Sequence, residues 1–335
     1  MNIYDIAKLA NVSIATVSRV VNNSPKVSKK TKEKVLAIMN ENEYTPNAFA
    51  RGLGLGSMKT IGIICPDIAD IYMAKAISYL EKNLHEYGYD CILGCSGFGQ
   101  KEKESHVKLL LSKKIDTLVL IGSTYAGSGR DDSETDYIRE AAGQTPVFMI
   151  NAKVNGDNIY CTYADDFQAT YEVTKAFLRR GKEKILFMYD SESFSAKQKL
   201  SGYEAALQDA GYPIRGDLKF KTKNDIEYTK NMLLEYNKTL DFDSVIATED
   251  GIAIGAIKYA KIKALSIPED LAITGYNNSI LALSSEPELT SVDSKLETMC
   301  KKTVERMIGL LENGMQIEKN VCVPCEIIRR CTTDF

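Results

Sequence analysis

Up to Tyr44 the apolar residues recur at the spacing of short helices: Ile3, Ile6 and Ala10, then Val17, Val20 and Val21, then Val35, Leu36, Ile38 and Met39. Steps of three and four place each set on one helix face. Asn11-Val12-Ser13 separates the first two sets and is too short for anything but a tight turn, which predicts a helix-turn-helix. Ser13 is placed to cap the second helix by accepting from its first backbone N–H groups, with Val12 closing over the core. Ser28 stands likewise before the third, which Glu41-Asn42-Glu43-Tyr44 ends. So small a unit buries little apolar surface and is expected to be only marginally stable alone.

From Thr60 the pattern changes to short apolar runs alternating with helical stretches. Ile61–Cys65, Cys91–Gly94, Thr117–Ile121 and Val147–Ile150 read as buried parallel strands, with helices such as Tyr72–Tyr87 and Lys101–Ser112 between them. A second set follows at Lys184–Met188, Ser244–Ala247 and Leu271–Gly275, with helices near Phe167–Arg179, Lys197–Ala210, Tyr228–Asn237 and Ile252–Lys263. The 335 residues suit a head and two further cores. The expected fold class is an all-α helix-turn-helix head plus an α/β core of two doubly wound parallel-sheet lobes, with a ligand cleft between them.

Charge gives the head a direction. Residues 1–58 carry eight Lys or Arg against four acids, a net of +4, whereas the whole chain is −3, which leaves −7 on the remainder. A basic head on an acidic body turns one end toward a polyanion, and phosphate neutralisation supplies most non-specific affinity for nucleic acid. With Val17, Val20 and Val21 inward, the second helix presents Ile14, Ala15, Thr16, Ser18 and Arg19. The first residues of a recognition helix are the ones that meet base edges. Arg19 suits guanine O6 and N7, Ile14 and Ala15 suit thymine methyls, and the hydroxyls of Thr16 and Ser18 suit phosphate or a single base acceptor.

The runs Ile6-Ala7-Lys8-Leu9-Ala10-Asn11-Val12-Ser13, Ala15-Thr16-Val17-Ser18-Arg19-Val20-Val21-Asn22 and Tyr44-x-Pro46-Asn47-x-x-Ala50-Arg51-x-Leu53 together resemble the head and hinge of the LacI/GalR family of transcriptional regulators. The resemblance continues to the C-terminus. It implies a head over residues 1–45, a hinge over 46–58 and an effector-binding, dimerising core over 59–335. The implied core crosses between lobes near 160, 290 and 320, so that one lobe takes about 59–159 and 291–319 and the other about 160–290 and 320–335. The DNA-facing set then includes Tyr4, Ser13, Asn22, Lys29, Asn47 and Ala50. By motif position Leu53 is the leucine that wedges into the minor groove at the operator centre, an insertion that bends the duplex onto more protein. Gly52, Gly54 and Gly56 depart from the family pattern, and each costs a helix about 1 kcal/mol relative to alanine. A hinge poorly ordered off DNA is the expectation.

Ligands of doubly wound sheets sit beyond the carboxyl ends of the strands. By position the resemblance nominates Asp67, Tyr72, Met73, Phe98, Ser123 and Asn151 on the first lobe, and Ser193, Ser195, Lys199, Glu249, Asp250 and Asn277 on the second. Lys199 stands where sugar-binding members usually have arginine, and a lysine offers a point charge where arginine offers a fork. Asn277 replaces a common aspartate, Asn151-Ala152 a frequent Asp-Arg, and Glu249-Asp250 a common Asn-Asp. The effector class therefore stays open among a sugar, a sugar phosphate, a nucleoside, or a degenerate pocket answering to a partner protein.

What the resemblance implies is a repressor without cofactors, working as a homodimer on pseudo-palindromic double-stranded operator DNA, because one head covers one half-site. A ligand preferring one lobe arrangement would shift operator affinity. Enzyme readings find little: His85 and His106 lie in charged helical segments, and Cys322-x-x-Cys325 contains Pro324 and lacks a matching second pair, which argues against metal. The cysteines lie mostly in apolar runs and suit a reducing cytoplasm. The glycines of Gly94–Gly99 form neither G-x-G-x-x-G nor a Walker loop. The alternative, a periplasmic-type solute receptor, would need an export signal, and the N-terminus shows neither basic n-region nor apolar h-region. No apolar run is long enough for a membrane span, and the residues after the expected last strand, which begins at Val321, carry no leucine heptad for tetramerisation.

Overall fold

The computed structural model describes residues 1–22, 24–44, 57–129, 131–236 and 241–335. Asn47, Ala50, Leu53 and the hinge glycines lie outside the described residues. The head is three helices, α1 (Ile3–Ala10), α2 (Ile14–Val21) and α3 (Lys29–Glu41). Asn2 and Asp5 close a reciprocal capping box on α1, and Asn11 ends it in the left-handed conformation that sets the tight turn. Ser13 and Ser28 cap α2 and α3 by accepting from Thr16 N and Thr31 N. Ile6, Ala10, Val17, Val20, Val35 and Met39 form the core, while Leu36, expected inside, is exposed on the far side of α3.

The remainder is two sheets of six strands each. In the first the order is β11 (Asn320–Val323), β5 (Ile159–Ala164), β4 (Val147–Ile150), β3 (Thr117–Ile121), β1 (Thr60–Cys65) and β2 (Asp90–Cys95), all parallel. In the second it is β12 (Glu326–Ile328), β10 (Thr290–Asp293), β9 (Ala272–Tyr276), β8 (Ser244–Ala247), β6 (Ile185–Tyr189) and β7 (Lys219–Lys221). β12 runs antiparallel to β10, so the second sheet is not wholly parallel as expected. A single antiparallel edge is tolerated because an edge strand has one neighbour to satisfy. Both sheets reverse direction at their second strand, which places a switch point between β1 and β3 and another between β6 and β8.

The chain crosses between sheets after β5, after β10 and after β11. The boundaries expected near 160, 290 and 320 fall short of these points: β5 and β11 belong to the first sheet in full, and β10 belongs to the second. The segment Val321–Thr333, expected as one strand and a tail, is two strands in different sheets, with Pro324 at the crossing, where its missing N–H costs no ladder bond. After β10 the long helix α12 (Leu296–Asn313) returns to the first lobe. There Met299, Cys300, Val304 and Met307 pack against α4 (Ile71–Glu86), and Thr303 Oγ1 donates to buried Thr162 Oγ1 at 2.8 Å. All eight cysteines are free; Cys65, Cys161 and Cys300 are buried, Cys91 and Cys325 partly so, and Cys95, Cys322 and Cys331 are exposed, so fewer are buried than their mostly apolar runs suggest. No helix among the described residues is long and apolar enough to cross a membrane.

Candidate effector cleft and DNA-facing head

A cleft of about 800 Å³ opens where the two switch points face one another. The first lobe contributes the loop after β1 with the start of α4, the loops after β2 and β3, and Asn151 after β4. The second contributes the loop after β6 with the start of α8 (Phe194–Asp209), the loop after β7, Thr248 and Glu249 after β8, and Asn277 after β9. Parallel strands end together, so residues far apart in sequence meet here.

Asp67, Tyr72, Met73, Phe98, Ser123, Asn151, Ser193, Ser195, Lys199, Glu249 and Asn277 all line this cleft. Asp250 stands one step aside, at an adjoining cavity that shares Asp70, Tyr72, Glu249 and Asn277 with the cleft. Its Oδ2 accepts from Ser279 N and its Oδ1 from Ser291 Oγ, both at 2.6 Å, so the carboxylate clamps the ends of β9 and β10 from inside the lobe. The adjoining cavity measures about 400 Å³. Gly275 exists for this clamp: a Cβ there would stand 2.3 Å from Asp250 Oδ1.

Polar atoms of cleft-lining residues that are buried and make no protein hydrogen bond include Tyr72 OH, Thr124 Oγ1, Asn151 Oδ1, Ser195 Oγ and Thr248 Oγ1. Such groups cost free energy unless a ligand or water meets them. Asn151 and Asn277 both hold left-handed backbone, which asparagine tolerates, and this aims their amides off the strand ends. Asn277 Nδ2 donates to Glu249 Oε2 at 2.7 Å, so the amide that replaces the family's aspartate is bonded to a neighbour. Ser193 caps α8 through Ala196 N.

From this wall inward runs a buried lysine–tyrosine–aspartate chain. Lys199 Nζ donates to Thr248 O at 3.1 Å and sits over the Tyr276 ring, and the Tyr276 hydroxyl donates to Asp166 Oδ1 at 2.6 Å. Burial holds the Asp166 carboxyl above its usual range, opposed by the Lys199 charge, and pushes the Tyr276 phenol well up. Burial also raises Glu249 well above the usual carboxylate range, and the like charges of Asp190, Asp70 and Asp250 add to this against the pull of Lys199.

Sequence reasoning passed over Asp70, Thr124, Asp190 and Thr248, which also line the cleft. Asp190 directly follows β6 and Thr248 directly follows β8, so the strand-end rule applied from the first residue after each strand would have found both. Asp70 is signalled as the N-cap of α4, accepting from Met73 N at 2.9 Å.

On the head, Tyr4, Ile14, Ala15, Arg19 and Lys29 are exposed, and Tyr4 and Ile14 keep 66% and 41% of their surface. The Ser13 cap also bonds to the Thr16 hydroxyl at 2.9 Å, and Thr16 and Ser18 are partly buried. Asn22 forms the C-cap position of α2.

A helix-turn-helix head carried on two hinged binding lobes defines a ligand-responsive DNA-binding regulator. Residues 58–331 match the sequence profile of periplasmic binding proteins and the sugar binding domain of the LacI family, and residues 2–47 that of bacterial regulatory proteins of the lacI family. An HTH-type transcriptional regulator of Lachnoclostridium phytofermentans is 45% identical with all of both chains covered. Catabolite control protein A of Priestia megaterium is 32% identical over 87% of each chain. A lac repressor dimer bound to operator and an anti-inducer superposes with a TM-score of 0.88 over 99% of this chain and 98% of that one; at 22% identity this is a likeness of fold. The chain belongs to the LacI family of bacterial regulatory proteins. It is a DNA-binding transcriptional regulator and not an enzyme, and the solute-receptor alternative falls.

Proposed function

We propose that this protein is a cytoplasmic repressor that binds pseudo-palindromic operator DNA as a homodimer, and that a small molecule of the sugar class, held between the lobes, resets its operator affinity. The observation that carries the ligand half is the set of buried, unpartnered polar atoms on both walls of the cleft. A ligand that meets Tyr72, Thr124 and Asn151 from one lobe and Thr248 from the other binds one lobe orientation better than another. That difference in affinity is what moves the two heads into or out of operator spacing.

On the DNA side, Ile14, Ala15 and Arg19 read base edges, Lys29 neutralises phosphate, and Tyr4, Ser13, Thr16, Ser18 and Asn22 position the head. Asn47, Ala50 and Leu53 complete the contact through the hinge. Selection of bound duplexes from a random pool, followed by fluorescence anisotropy on the selected sequence, tests this. A two-fold symmetric site preferred over bulk DNA is expected, and no preference at moderate salt would sink it. Thermal-shift screening of neutral, phosphorylated and amino sugars tests the cleft, since any native-state ligand raises Tm.

A further inference from the structure

Carboxylates dominate the cleft, and they converge on it from both lobes. Asp70 stands at the start of α4 on the first lobe, while Asp190 follows β6 and Glu249 follows β8 on the second. Burial holds both Asp70 and Glu249 above their usual range, and the charge of Asp190 drives each the same way, as groups facing one another through poorly screened space do. The lysines of the cleft are engaged elsewhere. Lys199 is tied to Thr248 O and the Tyr276 ring and its charge is shared between Asp166 and Glu249, and Lys223 lies over the ring of Tyr228.

A second observation points to a ligand at the same place. Thr248, 2% exposed, and Asn151, 9% exposed, line the cleft from opposite lobes, and each holds a buried oxygen without a protein partner. Among the described residues no three acidic, histidine or cysteine groups are grouped to hold a metal ion. The carboxylates suit a positive charge, and the unpartnered oxygens suit a ligand with hydroxyls of its own.

We propose that the effector bears a protonated amine, as an amino sugar or polyhydroxylated amine does, and that Asp70 of the first lobe with Asp190 and Glu249 of the second receives it. The inference rests on reading the cleft as the effector site. Because the carboxylates come from both lobes, the amine draws the lobes together, and a phosphate in its place is repelled.

The test is thermal-shift titration of the full-length protein with D-glucosamine, D-galactosamine and 1-deoxynojirimycin, against D-glucose, D-galactose and D-glucose 6-phosphate. At least one amine should raise Tm beyond its neutral isostere, with no response to the phosphate. Asp190→Asn and Glu249→Gln should each weaken that amine about tenfold or more, the loss of one charge-assisted hydrogen bond. Both substitutions remove like-charge repulsion, so the ligand-free variants should melt no lower than the parent, which separates lost binding from lost folding. The proposal is overturned if no amine outperforms its isostere, or if the preference survives both substitutions. If a neutral or phosphorylated sugar stabilises the protein better and Asn151→Ala abolishes this, the cleft remains the effector site and the charge assignment alone is wrong.

Discussion

The Lys199 ammonium rests 3.6 Å from the centre of the Tyr276 ring, with the Tyr276 hydroxyl bonded to Asp166 on the other side. Lysine and aspartate thus share one buried aromatic. Lys199→Met strands Asp166 as an uncompensated buried charge and should cost about 3–5 kcal/mol at neutral pH. Asp166 is already raised in the folded state, and losing Lys199 raises it further. Below the unfolded-state value of a carboxyl both states are protonated and the penalty vanishes, so the deficit should shrink toward pH 4. Urea unfolding at pH 4 and 7 measures both.

Glu249 has a folded-state pKa well above its unfolded value. Such a group binds more protons folded than unfolded, so stability falls as pH rises from the unfolded value toward the folded one. Glu249→Gln should raise the urea midpoint at pH 7–8 and leave it unchanged near pH 4. An equal gain at both values would show that the carboxylate is not the cause.

Gly202 on α8 lets that helix lie against α7 (Asp166–Arg179). A Cβ there would stand 2.2 Å from Phe167 O and 3.0 Å from Tyr171 N, and helix backbone cannot step aside as a side chain can. Gly202→Ala should cost about 3 kcal/mol, the upper end for overpacking. Gly94, whose nearest neighbour to a new Cβ is 3.5 Å away, serves as the control and should accept alanine within about 1 kcal/mol in urea unfolding.

Thr248→Val separates ligand binding from folding. The Thr248 hydroxyl is buried without a partner, so replacing it with a methyl should leave the ligand-free Tm unchanged or higher. Affinity for whichever sugar the thermal-shift screen selects should fall about tenfold in calorimetric titration.

Arg19→Ala should cost about 1–3 kcal/mol on the selected operator and little on random duplex, whereas Lys29→Ala should weaken both alike and flatten the salt dependence. Anisotropy at several salt concentrations distinguishes them. Equal losses on both DNAs for Arg19→Ala would reassign it to phosphate.

Much of the site could be read because strand ends and helix caps are local signals. Ser193, Glu249 and Asn277 stand at the cleft, each just beyond a β-strand of apolar residues. Which of the adjacent Glu249 and Asp250 faces the main cleft was not legible, because the bonds of Asp250 to Ser279 and Ser291 join segments far apart in the chain. The charge convergence was missed for a related reason: Asp70 and Asp190 look like an ordinary cap and an ordinary loop residue until the lobes bring them face to face.

The sequence by itself determined the head, through caps and apolar spacing that act within a turn or two of helix, and the alternation of strands with helices that makes two lobes. The family resemblance already gave α12 to the first lobe and β12 to the second, but the tertiary structure decided that β5 and β11 join the first sheet whole and that β10 stays in the second. Strand partners are chosen by packing between segments far apart in the chain, where local periodicity carries no information. The same long-range choice sets which buried polar groups reach the cleft and which are spent holding it in shape.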